Sequence, residues 1–189
     1  MEEKQMGEQE GNDKRIAPGM KALNLEEMTE GEAMDLVGKV AGRLDEAERR
    51  AVAQACGRLP LALRVVASLL ERRADLGVGE LLGRVRDAER RLKLSGVEAA
   101  LQTSYELLAE DLQERWRMLG VFVGSFERGA AAAVWGTDEE TTSDVLGELL
   151  GYSLVGYVDG RYRLHELARD FAGVKLGEGY EVRLRHAGY

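Results

Sequence analysis

Asp159-Gly160 constrains this chain more than any other pair of residues. It separates Leu154-Val155-Gly156-Tyr157-Val158 from Arg161-Tyr162-Arg163-Leu164. A two-residue Asp-Gly link between such stretches is a β-hairpin signal, because its tight turn needs φ > 0. On the return strand the period of two sets Tyr162 and Leu164 inward and Arg161 and Arg163 outward. His165 follows with the outward set. Everything before the hairpin, from about residue 29, is a succession of helix signals, so the hairpin has to attach to a helical body.

Thr29-x-x-Glu32 and Asp45-x-x-Glu48 are capping boxes. The first precedes Ala33, Leu36, Val37, Val40 and Leu44 at helical spacing, the second Ala47, Ala51, Val52 and Ala55. Gly57 can end the second helix, and Pro60 suits the first turn of a third, where its missing N–H costs nothing. Leu63, Val66, Ala67 and Leu70 give that helix a buried stripe. A fourth helix around 79–92 uses Leu81, Leu82, Val85, Ala88 and Leu92. Past Ser95-Gly96 the pattern predicts four more. One buries Val97, Leu101, Ser104 and Leu108, and another Leu112, Trp116, Leu119 and Val123. An Ala-rich helix runs through Glu127–Trp135, and the last carries Val145, Leu146, Leu149 and Leu150. Beyond the hairpin, Leu167, Phe171 and Val174 begin a closing helix.

Helices followed by one hairpin is the order of a winged helix-turn-helix domain. The fold expected is mainly α: a small four-helix bundle over residues 20–95, then a winged-helix domain over 96–177. Residues 1–19, polar and without periodicity, are expected to be a disordered leader, with a short strand at Lys21–Leu25. Residues 178–189 are expected to start a further helix or linker.

Composition narrows the chemistry. Aromatic residues are 6% of a chain of 189, and the helix formers Leu, Ala, Glu and Arg are abundant, which favours helix. No apolar run reaches the length of a membrane span and no signal peptide is present, so a cytoplasmic protein without membrane contact is expected. Cys56 is the sole cysteine, which excludes an internal disulfide and a cysteine zinc cluster. His165 and His186 are the only histidines, and no spacing suggests converging metal ligands. Net charge is −8. The stretch from Thr137 to Gly151, the approach and body of the candidate recognition helix, holds Asp138, Glu139, Glu140, Asp144 and Glu148 without a Lys or Arg. A phosphate array needs cations, so DNA is not expected as a partner.

Two segments about a hundred residues apart carry the functional signal: Gly57-Arg58-Leu59-Pro60-Leu61-Ala62-Leu63 and Tyr162-Arg163-Leu164-His165-Glu166-Leu167. Together they resemble two nucleotide-contacting corners of the NB-ARC class of signalling ATPases (the STAND family), which includes plant disease-resistance proteins, apoptotic protease-activating factors and many bacterial regulators. The resemblance covers about residues 20–189. It implies an ARC helical subdomain followed by a winged helix, with Pro60 packing on the adenine of ADP and Leu59 and Leu61 as its apolar neighbours. It gives His165 a hydrogen bond to the β-phosphate that holds an autoinhibited state. The family's Met-His-Asp reads Leu164-His165-Glu166 here.

No Gly-x-x-x-x-Gly-Lys-Ser/Thr and no strand ending in paired aspartates occurs, so phosphate cradle and magnesium ligands are missing. The chain alone is therefore not expected to be an enzyme, and ADP or ATP should bind weakly unless a P-loop nucleotide-binding domain joins it in cis or in trans. Family members often continue into helical repeats, which implies a helical-repeat sensor as a further partner. The reading that follows is a regulatory fragment of a nucleotide switch in signal transduction or transcriptional regulation. The alternatives are a winged-helix DNA-binding regulator and a nucleotide-independent helical interaction module.

Overall fold

The computed structural model describes residues 27–186, with side chains as far as Gly177. The expected leader over 1–19 and the strand at Lys21–Leu25 lie outside the described residues. Four helices come first: α1 (Glu30–Val40), α2 (Glu46–Ala55), α3 (Pro60–Arg72) and α4 (Val78–Leu92). Then follow α5 (Gly96–Glu106), α6 (Glu110–Met118), a 3₁₀ turn (Leu119–Val121), α7 (Arg128–Trp135) and α8 (Glu139–Gly151). A hairpin of β1 (Gly156–Val158) and β2 (Arg161–Arg163) leads into α9 (Glu166–His186). The molecule is mainly helical with one small antiparallel hairpin, a bundle joined to a winged helix.

Local signals set the helix starts. Thr29 Oγ1 accepts from the Glu32 N–H at 3.3 Å, while Glu32 returns a carboxylate to the Thr29 N–H at 2.9 Å. The Thr29 hydroxyl also donates to the Glu32 carboxylate at 2.7 Å, and that bond, with the one from the Thr29 N–H, holds the Glu32 carboxyl below its ordinary range. Asp45 and Glu48 repeat the arrangement at α2, and Ser95 and Glu98 supply a third capping box at α5 that the sequence reading passed over. Between α2 and α3 two successive left-handed residues, Gly57 and Arg58, turn the chain, and Pro60 opens α3 at N1. In the hairpin Asp159 and Gly160 both take positive φ, and the register pairs Tyr157 with Tyr162.

α3 is the centre of the bundle. From Leu61 to Leu70 every residue is buried except Arg64. α5 is buried from Ala99 to Tyr105 and packs on α3 and α4 as well as on α9, so the apolar core runs without a break from bundle to winged helix. Trp116 of α6 is fully buried and donates its indole N–H to the Leu154 carbonyl at 3.2 Å. Its ring neighbours are Tyr105 and Phe171, at centroid distances of 5.8 and 6.0 Å. Phe126 adds a short third partner to the hairpin: its N–H and C=O both bond to Tyr162, at 2.8 and 2.9 Å.

Three positions expected in buried stripes point outward. Leu92 is exposed where α4 ends in a left-handed Lys93. Val123 is exposed because the 3₁₀ turn after Met118 breaks the α period before it arrives. Val174 is exposed because α9 buries Ala168 and Ala172, and the bulkier Leu167 and Phe171 pack only partly against the core.

Candidate functional site

Pro60 and His165, separated by more than a hundred residues, line one cleft of about 470 Å³ between α3 and the β2–α9 junction. Leu61 lines it as well and is almost wholly buried. Leu59 does not line it: as the N-cap of α3 it is half-buried against the core, one residue before the helix turns Pro60 and Leu61 toward the opening. The floor is apolar, from Leu61, Leu154, Val155 and Ala168, which are all buried. The rim is polar.

Pro60 presents a half-buried ring with no N–H to leave unsatisfied, a face suited to an aromatic base. His165 caps α9. Its carbonyl accepts from the Arg169 N–H at 2.8 Å, and its Nδ1 accepts from the Leu167 N–H at 3.3 Å. A neutral imidazole that accepts at Nδ1 carries its proton on Nε2. The exposed side chain can therefore offer an N–H donor at the cleft mouth while its other nitrogen is held by the backbone. Glu166 is the carboxylate in the lining and is exposed.

Two further side chains of the cleft carry charge. Arg64 projects from α3 one turn after Pro60, and Arg163 ends β2 two residues before His165. Arg163 was read as an outward wing residue and not as part of a site. Arg64 had a signal in the sequence that went unused: a guanidinium interrupting the apolar run Leu61–Leu70.

The cleft lies on the seam between bundle and winged helix. Ser68 of α3 and Ser153, just past α8, share a hydrogen bond of 2.7 Å between hydroxyls. Next to it the Arg72 guanidinium sits over the Tyr152 ring at 4.4 Å. The lone cysteine, Cys56, is buried beneath the α2–α3 turn, where desolvation pushes its thiol up to about 12. It is in no condition to act as a nucleophile. Among the described residues no group of three or more His, Cys, Asp or Glu could hold a metal ion, and no helix is long and apolar enough to cross a membrane.

No protein-family model matches the chain. It is similar to the regulatory protein AfsR of Streptomyces coelicolor, at 36% identity over 165 residues, covering 82% of this chain and 17% of the relative. The Streptomyces griseus protein of the same name is 34% identical over 165 residues. A Mycobacterium bovis protein named as an HTH-type transcriptional regulator is 35% identical over 159 residues, covering 74% of this chain and 18% of the relative. The chain thus spans about one-sixth of the length of these curated relatives, and they are named as regulators, not as enzymes.

These relatives correct the expectation that DNA is not a partner. Relatives that share most of this segment are named as HTH-type transcriptional regulators. The expectation rested on the net charge of −8 and on α8 with its approach, and those carboxylates describe one face. On α4, Arg84, Arg86, Arg90 and Arg91 are all exposed, as are Lys93 at its C-cap and Arg128 at the start of α7.

Proposed function

We propose that the chain is a regulatory segment of a transcriptional regulator, with DNA as the partner on which it acts. The observation that carries this reading is the identity of about one residue in three with AfsR-type and HTH-type regulators, which extends over most of the chain. On this reading α4 supplies the phosphate contacts. Arg86 and Arg91 are the cations on it with the fewest ties, since Arg84 is held by Glu80 and Arg90 by Asp87. The test is fluorescence anisotropy of labelled, fragmented genomic DNA titrated with the chain across a range of salt. Affinity should fall steeply with salt and drop when Arg86 and Arg91 are both replaced by Glu. Absence of binding at low ionic strength would refute the reading.

A second reading is favoured by the cleft. The NB-ARC resemblance assigns Pro60 to adenine and His165 to a β-phosphate, and both line the same cavity. ADP held there would touch α3 and the β2–α9 junction at once and so bias how the bundle and the winged helix sit against each other. A hydrogen bond to a charged group contributes roughly 1.5–3 kcal/mol, enough to shift a two-state equilibrium about 10- to 150-fold. With this few phosphate contacts the chain alone should bind ADP weakly. Titration of ADP against the amide resonances of Leu61, Gly156 and His165 tests it, with loss of the response in His165→Ala as the expected result.

A further inference from the structure

We infer that Arg64 and Arg163 form a paired anion clamp across the cleft, one guanidinium from the bundle and one from the hairpin, and that they set it for a ligand with two or more phosphates. The inference rests on the nucleotide reading of the cleft and deepens it. Three observations converge. Arg64 is the one exposed residue between Leu61 and Leu70, and among the cleft-lining residues of α3 it is the charged one. Arg163 enters from the opposite wall, on the outward face it shares with His165. Among the described residues neither guanidinium has a hydrogen-bond or ion-pair partner, whereas Arg161, two residues from Arg163, is tied to Glu127 and Ser125.

The charge balance points the same way. The cleft lining holds two guanidiniums against the single carboxylate of Glu166, so its rim is net positive in a chain of net charge −8. A guanidinium presents a planar fork of N–H donors that matches phosphate oxygens two at a time, and one such fork from each wall is poorly used by a single phosphoryl group. A diphosphate is long enough in charge to engage both, with His165 Nε2–H between them. Its adenosine end is left for Pro60 and the apolar floor. Since Arg64 and Arg163 belong to different bodies, a bridging ligand would tighten the seam that Ser68 and Ser153 already hold.

The test compares adenosine, AMP, ADP and inorganic pyrophosphate as ligands of the full chain, by calorimetry and by amide-shift titration. For the unmodified chain the affinity order should be ADP above AMP above adenosine, with pyrophosphate bound as well. Arg64→Gln and Arg163→Gln should each weaken ADP and pyrophosphate about 10-fold or more and leave adenosine unchanged. Arg→Lys at either position should restore part of the loss, since it keeps the charge without the fork. Glu166→Gln should tighten ADP. Both arginines are exposed, so the variants should melt with the parent. If ADP perturbs the amides of Leu61 and His165 but the arginine variants bind it unchanged, the clamp is wrong and the nucleotide reading stands. If neither ADP nor pyrophosphate binds at millimolar concentration, both fall.

Discussion

Gly120 is the position where one added methyl group should do most harm. It sits in the 3₁₀ turn that crosses α9 at close range. A Cβ there would lie 2.9 Å from the Gly173 nitrogen, 3.1 Å from the Ala172 carbonyl carbon and 3.3 Å from the Ala172 Cβ. Two of the three neighbours are backbone, which cannot swing aside as a side chain can. Restoring ordinary contact means moving α9 by roughly half an ångström. Phe171 would move with it, and its ring already packs on Trp116 and Tyr105. Overpacking of this kind costs about 1–3 kcal/mol. Against it stands the lower entropy of an unfolded chain carrying Ala in place of Gly, worth about 0.4–1 kcal/mol.

The net loss for Gly120→Ala is then about 1–2 kcal/mol, which lowers Tm by roughly 2–8 °C for a chain of this size. Thermal melts followed by far-ultraviolet circular dichroism read it directly. Gly83→Ala is the companion variant: it lies inside α4 with nothing within 4 Å of the added carbon, so helix propensity alone should raise its Tm. A Gly120→Ala protein that melts at or above the parent would refute the argument from close approach.

Other outcomes follow from the same packing. Trp116→Ala, which empties a fully buried site and orphans the Leu154 carbonyl, should cost about 3–5 kcal/mol in urea unfolding. The Cys56 thiol should resist iodoacetamide at pH 8 in the folded chain and react fully in denaturant. Because burial raises that thiol from 9.0 to about 12, its neutral form favours the folded state below pH 9. That contribution should fade between about pH 9 and 12, seen as a declining Tm that Cys56→Ala lacks.

Much of the fold was legible because its signals are local. Two capping boxes, the Gly57–Pro60 break and the Asp159-Gly160 turn each specify backbone geometry through residues a few positions apart, and all four appear as read. Outward Val123 departs from the expectation because the α period breaks at the 3₁₀ turn that starts at Leu119, Leu92 because it is the last residue of α4 before the left-handed Lys93, and Val174 because α9 turns Ala168 and Ala172 to the core. The cleft was legible only through the family resemblance, since nothing in the spacing of Pro60 and His165 says that they meet. Leu59, the extended N-cap of α3, packs against the core and does not line the cleft that Pro60 and Leu61 line. The cations of α4 were visible all along. The order of a winged helix points to α8 as the recognition helix, so its carboxylates alone bear on the sequence-based expectation about that helix.

Ser153 joins the stability of the seam to its purpose. It takes φ +55 just after α8, with its N–H on the Leu150 carbonyl and the next N–H on Leu149. That is a helix-ending position where glycine is ordinarily favoured, and a side chain there costs about 1 kcal/mol. What serine supplies is the 2.7 Å bond to Ser68, whose hydroxyl is nearly buried on α3. Ser153→Gly therefore relieves strain but leaves the Ser68 hydroxyl without that partner, a loss of about 1–3 kcal/mol. The single variant should be neutral to destabilising. In a Ser68→Ala background no hydroxyl is left to orphan, so the same Ser153→Gly change should stabilise by about 1 kcal/mol. That reversal of sign, measured by urea unfolding of the four proteins, separates a seam held by the hydroxyl pair from one in which Ser153 merely tolerates its backbone. If Ser153→Gly stabilises equally in both backgrounds, the bond does not couple bundle to winged helix, and a ligand bridging the cleft would have to tighten the seam through other contacts.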